Sequence, residues 1–213
     1  LEWDVPKGNW TIMRFVSRTT GQTTRPAPTP GHGYETDKFN PKSFETHWEN
    51  FQQKLLDRIG TRESGSSWTR IHLDSWEMSS QNWSQQFQKE FIERRGYDPK
   101  PFYPAYSGMV VGSLEQTERF LWDLRKTSQE LVIENYVNVI KAKSHEHNME
   151  YSNQPYDMNP AGNLDLGSVA DIPSCVFWDT RKSNLVDSLY SCIEATSFAH
   201  SMGTSVVPVE AVW

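Results

Sequence analysis

Short apolar runs alternate along this chain with longer stretches of helical periodicity, and that alternation limits the fold more than any other feature. Strand signals fall at 10–16 (WTIMRFV), at Ile71 and Leu73, at 149–154 (MEYSNQ) and at 205–212 (SVVPVEAV), with one more short strand within 159–178. Helical signals lie between them. Asn40 caps a helix that begins at Pro41 and repeats Phe44, Trp48, Phe51, Leu55 and Ile59 before Gly60. Ser84 caps a second helix, through Phe87 and Phe91, that closes at Arg94-Arg95-Gly96 with its basic residues at the negative end of the dipole. The stripe Leu121, Leu124, Leu131, Val132, Tyr136, Val139 and Ile140 marks a long amphipathic helix over 113–147. Asp187 or Ser188 opens a last helix, with Leu189, Cys192, Ile193, Thr196 and Ala199 inward and Gly203 after it. Strands joined through helices pair in parallel, and crossovers of one hand gather the strand ends on a common face. The expected class is α/β in a single domain over 1–213.

Size and charge narrow this further. The 213 residues suffice for one core but fall short of the roughly 250 of an eight-fold barrel, so any barrel here is partial. The opening LEWDVPKGNW and the ending EAVW read as the ends of an internal piece of something longer. A net charge of −6 lacks the basic footprint of a nucleic-acid binder, and no apolar run approaches the roughly 20 residues that cross a bilayer, so neither nucleic acid nor membrane is an expected partner. Cys175 and Cys192 are 17 apart without a CxxC or a matching histidine pattern, which indicates neither a zinc site nor a disulfide framework. His145 and His147, two apart, do not share a helix face. Pro208 in the last run removes an amide donor and fits a short strand or a bulge.

The chemistry concentrates at 68–83, WTRIHLDSWEMSSQNW. Strand alternation points His72, Asp74 and Trp76 one way and Ile71, Leu73 and Ser75 the other, and puts Glu77 just past the strand end, where the loops of α/β barrels carry catalytic groups. A buried strand with a polar edge is the alternative. By the same reasoning Asp74, Glu77, Gln154, Asp157 and Glu210 are expected to converge. A long Thr-, Pro- and Gly-rich loop, 19–38, ends in GYETDK, whose mixed charges, Glu35 among them, face either a site or water. Carboxylates at the ends of separate strands, flanked by Trp76, Trp83 and Trp213, suit glycoside hydrolysis, in which one acid protonates the leaving oxygen and another activates water or attacks. No GxGxxG, P-loop or G-x-S-x-G elbow supports phosphoryl or acyl transfer.

IHLDSWEMSSQNW, FIERRGYDPKPFYP, VVGSLEQTERFLWDLRKTSQEL and AHSMGTSVVPVEA, together with WDVPKGNWTIMRF and GYETDK, resemble glycoside hydrolase family 106, the α-L-rhamnosidases. The resemblance spans nearly the whole chain. It implies the middle portion of a partial (β/α)8 TIM-barrel-like catalytic domain, with the remaining strands and β-rich domains of a parent chain as its partners, in bacterial enzymes exported to the periplasm or beyond the cell. It implies inverting hydrolysis of terminal α-L-rhamnosides with calcium near the sugar. Glu77 in DSWE then matches the catalytic acid and Glu210 in PVEA the general base, 133 residues on. Trp76, Asp74, Trp83 and Glu35 are the expected carbohydrate contacts, and Asp74, Gln154 and Asp157 the expected calcium ligands. At Asn153-Gln154-Pro155-Tyr156 the chain departs from the resemblance, carrying Gln where Glu is expected. A non-catalytic sugar-binding or remnant barrel domain is the second reading.

Overall fold

The computed structural model describes residues 2–24, 27–59, 67–76, 80–155, 161–178, 185–204 and 207–212, with backbone alone for 185–188 and 212. Glu77, Asp157 and Trp213 lie outside the described residues.

Local chemistry sets most of the helix ends. Helix α1, Pro41–Asn50, starts where the extended backbone of Asn40 lets its side-chain oxygen accept the Lys42 N–H at 3.2 Å. The helix expected to run on to Ile59 is broken at Phe51 (φ −127°, ψ −74°), and α2, Gln52–Ile59, restarts with its stripe rotated. Leu56 is buried in place of Phe51 and Leu55, which are exposed. Strand β1 is Arg70–Leu73, and α3, Phe87–Arg95, stops on Gly96 at φ 79°, a left-handed cap that glycine adopts without strain. A 3₁₀ segment, Lys100–Ser107, leads to α4, Leu114–Val132, which opens in a capping box: the Gln116 N–H donates to Ser113 Oγ, and Gln116 Oε1 accepts the Ser113 N–H, both at 3.1 Å. One wider turn of π-helix, Ile133–Val137, separates α4 from α5, Asn138–Glu146. The remaining elements are β2, Glu150–Asn153; α6, Asn163–Gly167; β3, Ile172–Pro173; β4, Cys175–Trp178; α7, Leu185–Met202; and β5, Val209–Val212.

Among the described residues the named strands all pair in parallel, and an isolated antiparallel bridge joins Thr23 to Tyr34. β1, β2 and β3 form one sheet, with Ile71 opposite Tyr151 and Ser152 opposite Ile172, and β4 and β5 form another, with Val176 opposite Glu210. Ser174 lies between β3 and β4, and its N–H and hydroxyl both donate to Asn153 O at 2.8 Å, so the strands follow one another in chain order. Closure into an eight-stranded barrel is not seen among the described residues. The run 10–16 pairs with no strand among them, and Ile12 is 84% exposed. Apolar alternation makes a strand only where a neighbouring edge receives it.

The core lies between the sheet and its helices. Phe87, Phe91, Phe120, Leu131, Val132 and Tyr151 are all but inaccessible, with Ile71 and Leu73 packed against them. Arg94 and Arg95, expected simply to complement a helix dipole, instead cross to α4 and the turn after it: Arg94 Nη1 donates to Glu134 Oε1 at 2.9 Å, and Arg95 Nη2 donates to Glu130 Oε2 at 2.5 Å. The fork of a guanidinium suits such multi-carboxylate pairing.

Candidate functional site

Alternation on a parallel sheet sends every second side chain away from the helices. In β1 and β2 these are His72 and Ser152, opposite one another in the register, and His72 Nδ1 shares a 2.7 Å hydrogen bond with Ser152 Oγ. The ladder continues past β2, where the Gln154 N–H donates to Leu73 O at 3.0 Å. Gln154 is 3% exposed, and its Nε2 donates to Glu210 Oε2 at 2.6 Å, joining the end of β2 to β5. The other amide oxygen, Oε1, is buried with no hydrogen-bond partner among the described residues, an acceptor that ordinarily needs a donor or a cation. Asp74 ends β1 by accepting the Ser75 N–H at 2.7 Å. Burial lowers the His72 pKa below its ordinary value, while the nearby Asp74 and Glu210 carboxylates oppose that shift. Gln154 thus meets Glu210 directly, and the Asp74 and Glu210 carboxylates both act on His72, whereas Glu77 and Asp157, expected to join them, lie outside the described residues.

Glu35, Trp76 and Trp83 line a cavity of about 250 Å³, bounded also by residues 17–22, whereas Asp74, Gln154 and Glu210 do not line it. Trp76 does not follow the alternation of His72 and Asp74. The strand ends at Leu73, and Trp76 turns into the core at 7% exposure. Its ring lies under Lys38, whose Nζ is 4.6 Å from the ring centroid. Lys38 is 6% exposed, so the loop charges of GYETDK do not all face water. Lys38 Nζ donates to Glu35 Oε2 at 2.7 Å and to Thr36 O at 3.3 Å, and it lies 5.5 Å from the Tyr136 ring. Gln81 fastens the loop. Its Oε1 accepts the Lys38 N–H at 3.0 Å, and its Nε2 donates to Asp37 Oδ1 at 2.5 Å. The π turn takes part as well, because Asn135 Nδ2 donates to Phe39 O at 2.8 Å.

A second cavity, of about 480 Å³, shares Trp83 and the stretch 17–20 with the first and is walled by Phe15, Tyr103 and Tyr106. Tyr103 meets Trp83 edge to face at 5.9 Å and Phe15 at 5.5 Å. Desolvation raises the pKa of both tyrosine hydroxyls, keeping them neutral. Sequence reasoning put His72 on the face of Asp74 without giving it a role, and it missed Lys38, Gln81, Tyr103 and Tyr106. Only the proximity of Lys38 to Glu35 in the sequence hinted at its pairing; Tyr103 and Tyr106 come from a 3₁₀ segment whose placement no periodicity signals. Among the described residues no three His, Cys, Asp or Glu side chains are grouped to hold a metal ion.

Parallel strands in chain order, joined through helices, define the class: an α/β protein, with carboxylate and amide groups meeting at one side of its strands and an aromatic cleft besides. The family is given by comparison with known proteins. The sequence profile described as alpha-L-rhamnosidase, glycoside hydrolase family 106, matches residues 1–212, and the chain belongs to that family. It is 36% identical over 210 residues to a protein of Formosa agariphila named putative beta-glucuronidase, covering 99% of this chain and 18% of that protein. It also resembles the structure of the rhamnosidase from Novosphingobium sp. PP1Y, with a TM-score of 0.74 and 27% identity over 90% of this chain and 19% of that one. The chain thus spans about a fifth of the length of these relatives.

Proposed function

We propose that this chain is the middle portion of a partial (β/α)8 catalytic domain in an exported, inverting α-L-rhamnosidase. The observation that carries the reading is the bond from Gln154 to Glu210, which holds a carboxylate of β5 against the end of β2, with His72 of β1 and Asp74 at its end close enough to interact. Glu210 is the base that takes a proton from water as that water attacks the anomeric carbon. Glu77, four residues past the end of β1, protonates the leaving oxygen. Trp76, Trp83, Asp74 and Glu35 bind the sugar, and the Tyr103–Tyr106 cavity receives the leaving group. Inversion requires the two carboxyl groups to be about 6.5–9.5 Å apart, leaving room for water.

Oxygen donors of the right chemistry for calcium are present, since the orphaned Gln154 Oε1 can ligate a hard cation as a carbonyl does. Asp74, Gln154 and Asp157 would hold it, and the ion would supply positive charge that orients sugar hydroxyls. Calcium removal is expected to lower the melting temperature of the full-length protein as well as its activity. An unchanged melting temperature in chelator removes the cation from the proposal.

In the full-length protein, the first sugar released from an aryl α-L-rhamnoside, observed by NMR before mutarotation, is expected with inverted configuration. Glu210→Ala is expected to abolish turnover, with partial rescue by azide. Retained configuration would make Glu210 a nucleophile. The name of the Formosa relative favours a second reading, a uronosidase, for which Arg18 on the cavity wall could receive the carboxylate. Hydrolysis of an aryl β-D-glucuronide but not of the rhamnoside would establish that reading instead.

A further inference from the structure

We propose that Cys175 and Cys192 are a disulfide-forming site, a covalent clamp between β4 and α7. Their Sγ atoms lie 3.1 Å apart. Even packed carbon atoms rest at roughly 3.5–4.0 Å, and sulfur is larger, so the two are already inside ordinary contact distance. A bond of about 2.05 Å needs only about 1 Å of further approach. The closeness is built in by the elements rather than by two flexible side chains, because the adjacent Val176 N–H donates to Ser191 Oγ at 3.0 Å and pins the same strand to the same helix. No third ligand-type group completes a metal site with them among the described residues. The 17-residue separation in sequence, read alone, gave no sign of pairing.

The two thiols are unequal. Cys175 is buried, and its pKa is pushed up to about 12 by burial and by the facing Cys192, whereas Cys192 is half-buried and open to a reagent. The Cys192 thiolate attacks a small disulfide donor such as oxidised glutathione, forming a mixed disulfide and releasing one thiolate. Capping Cys192 removes its charge from beside Cys175. The Cys175 sulfur then gives up its proton and attacks the Cys192 sulfur, expelling the second thiolate. The protein loses two electrons and two protons, and the donor leaves as two thiols. The bond holds α7 on β4, which pairs with the β5 strand that carries Glu210.

The test uses the full-length protein, equilibrated with oxidised glutathione, alkylated in denaturant and digested with trypsin without reductant. No Lys or Arg lies between residues 144 and 180, and cleavage after Arg181 and Lys182 separates the two cysteines. The expected product is peptide 144–181 linked to the peptide beginning at residue 183, lighter by two hydrogen atoms than their sum. Reductant is expected to lower the melting temperature of the wild type by several degrees and to leave Cys192→Ser unmoved; this variant alters the half-buried partner and spares the buried one. Two separately alkylated peptides would overturn the proposal, and so would glutathione retained on Cys192, since Cys175 would then have failed to resolve it. An equal response of wild type and Cys192→Ser to reductant would overturn the clamp.

Discussion

Lys38 brings its charge into a place almost free of water, and Glu35, the Thr36 carbonyl and the face of Trp76 are what make that tolerable. Lys38→Met keeps the volume but strands Glu35, itself about a quarter exposed, so a loss of about 2–3 kcal/mol is expected, together with a raised KM because Glu35 and Trp76 both line the cavity. Equal denaturation midpoints for variant and wild type would contradict this. The two perturbed histidines make a different prediction. Partial desolvation holds His47 and His72, whose side chains still reach the surface, below the ordinary value of about 6.5, with Glu35 partly offsetting the shift at His47 and Asp74 at His72. The unfolded chain therefore binds more protons between the lowered values and about 6.5, and stability rises with pH through that window. The melting temperature is expected to fall on going from about pH 7.5 to about pH 5.5, and less so in His47→Gln/His72→Gln. An identical pH profile in the double variant would assign the effect to other groups.

Among the elements, those with local terminal chemistry were legible. Asn40-Pro41, Ser113 and Gly96 each start or stop a helix where the residues say they should, because such ends are satisfied within three or four residues, whereas Ser84 does not cap α3, whose N-cap is Gln86 without a side-chain cap bond. The break at Phe51 and the π turn at 133–137 were not legible. The π turn depends on contacts with distant chain, carrying Asn135 to Phe39 and Tyr136 edge to face with Phe44 at 5.5 Å; nothing in the structure explains the break at Phe51. Gly167, at the end of α6, shows the same dependence. A Cβ there would collide with the ring of Phe198 on α7, so its value lies in close approach rather than in backbone freedom. Gly167→Ala is expected to cost about 1–3 kcal/mol, and Phe198→Leu in the same chain to recover part of it by making room. Additive losses in the double variant would show that the two do not touch.

For the whole molecule, β1 and β5 each have one strand neighbour among the described residues, and exposed apolar groups include Trp122 at 67%. In isolation it is expected to oligomerise or unfold without a sharp transition, and sedimentation together with thermal unfolding measures this. A monomer with a cooperative, high melting point would refute that expectation. By itself the sequence determined the α/β alternation, the helix caps and the likeness that makes Glu77 and Glu210 the residues to test, since periodicity, capping and motif are properties of neighbours in the chain. Only the tertiary structure decided that 10–16 has no strand partner among the described residues, that Lys38 is buried and Trp76 turned inward, that Gln154 grips Glu210, and that Cys175 faces Cys192. Those outcomes depend on which distant groups remove water from a side chain or offer it a hydrogen bond, and spacing along the chain does not carry that information.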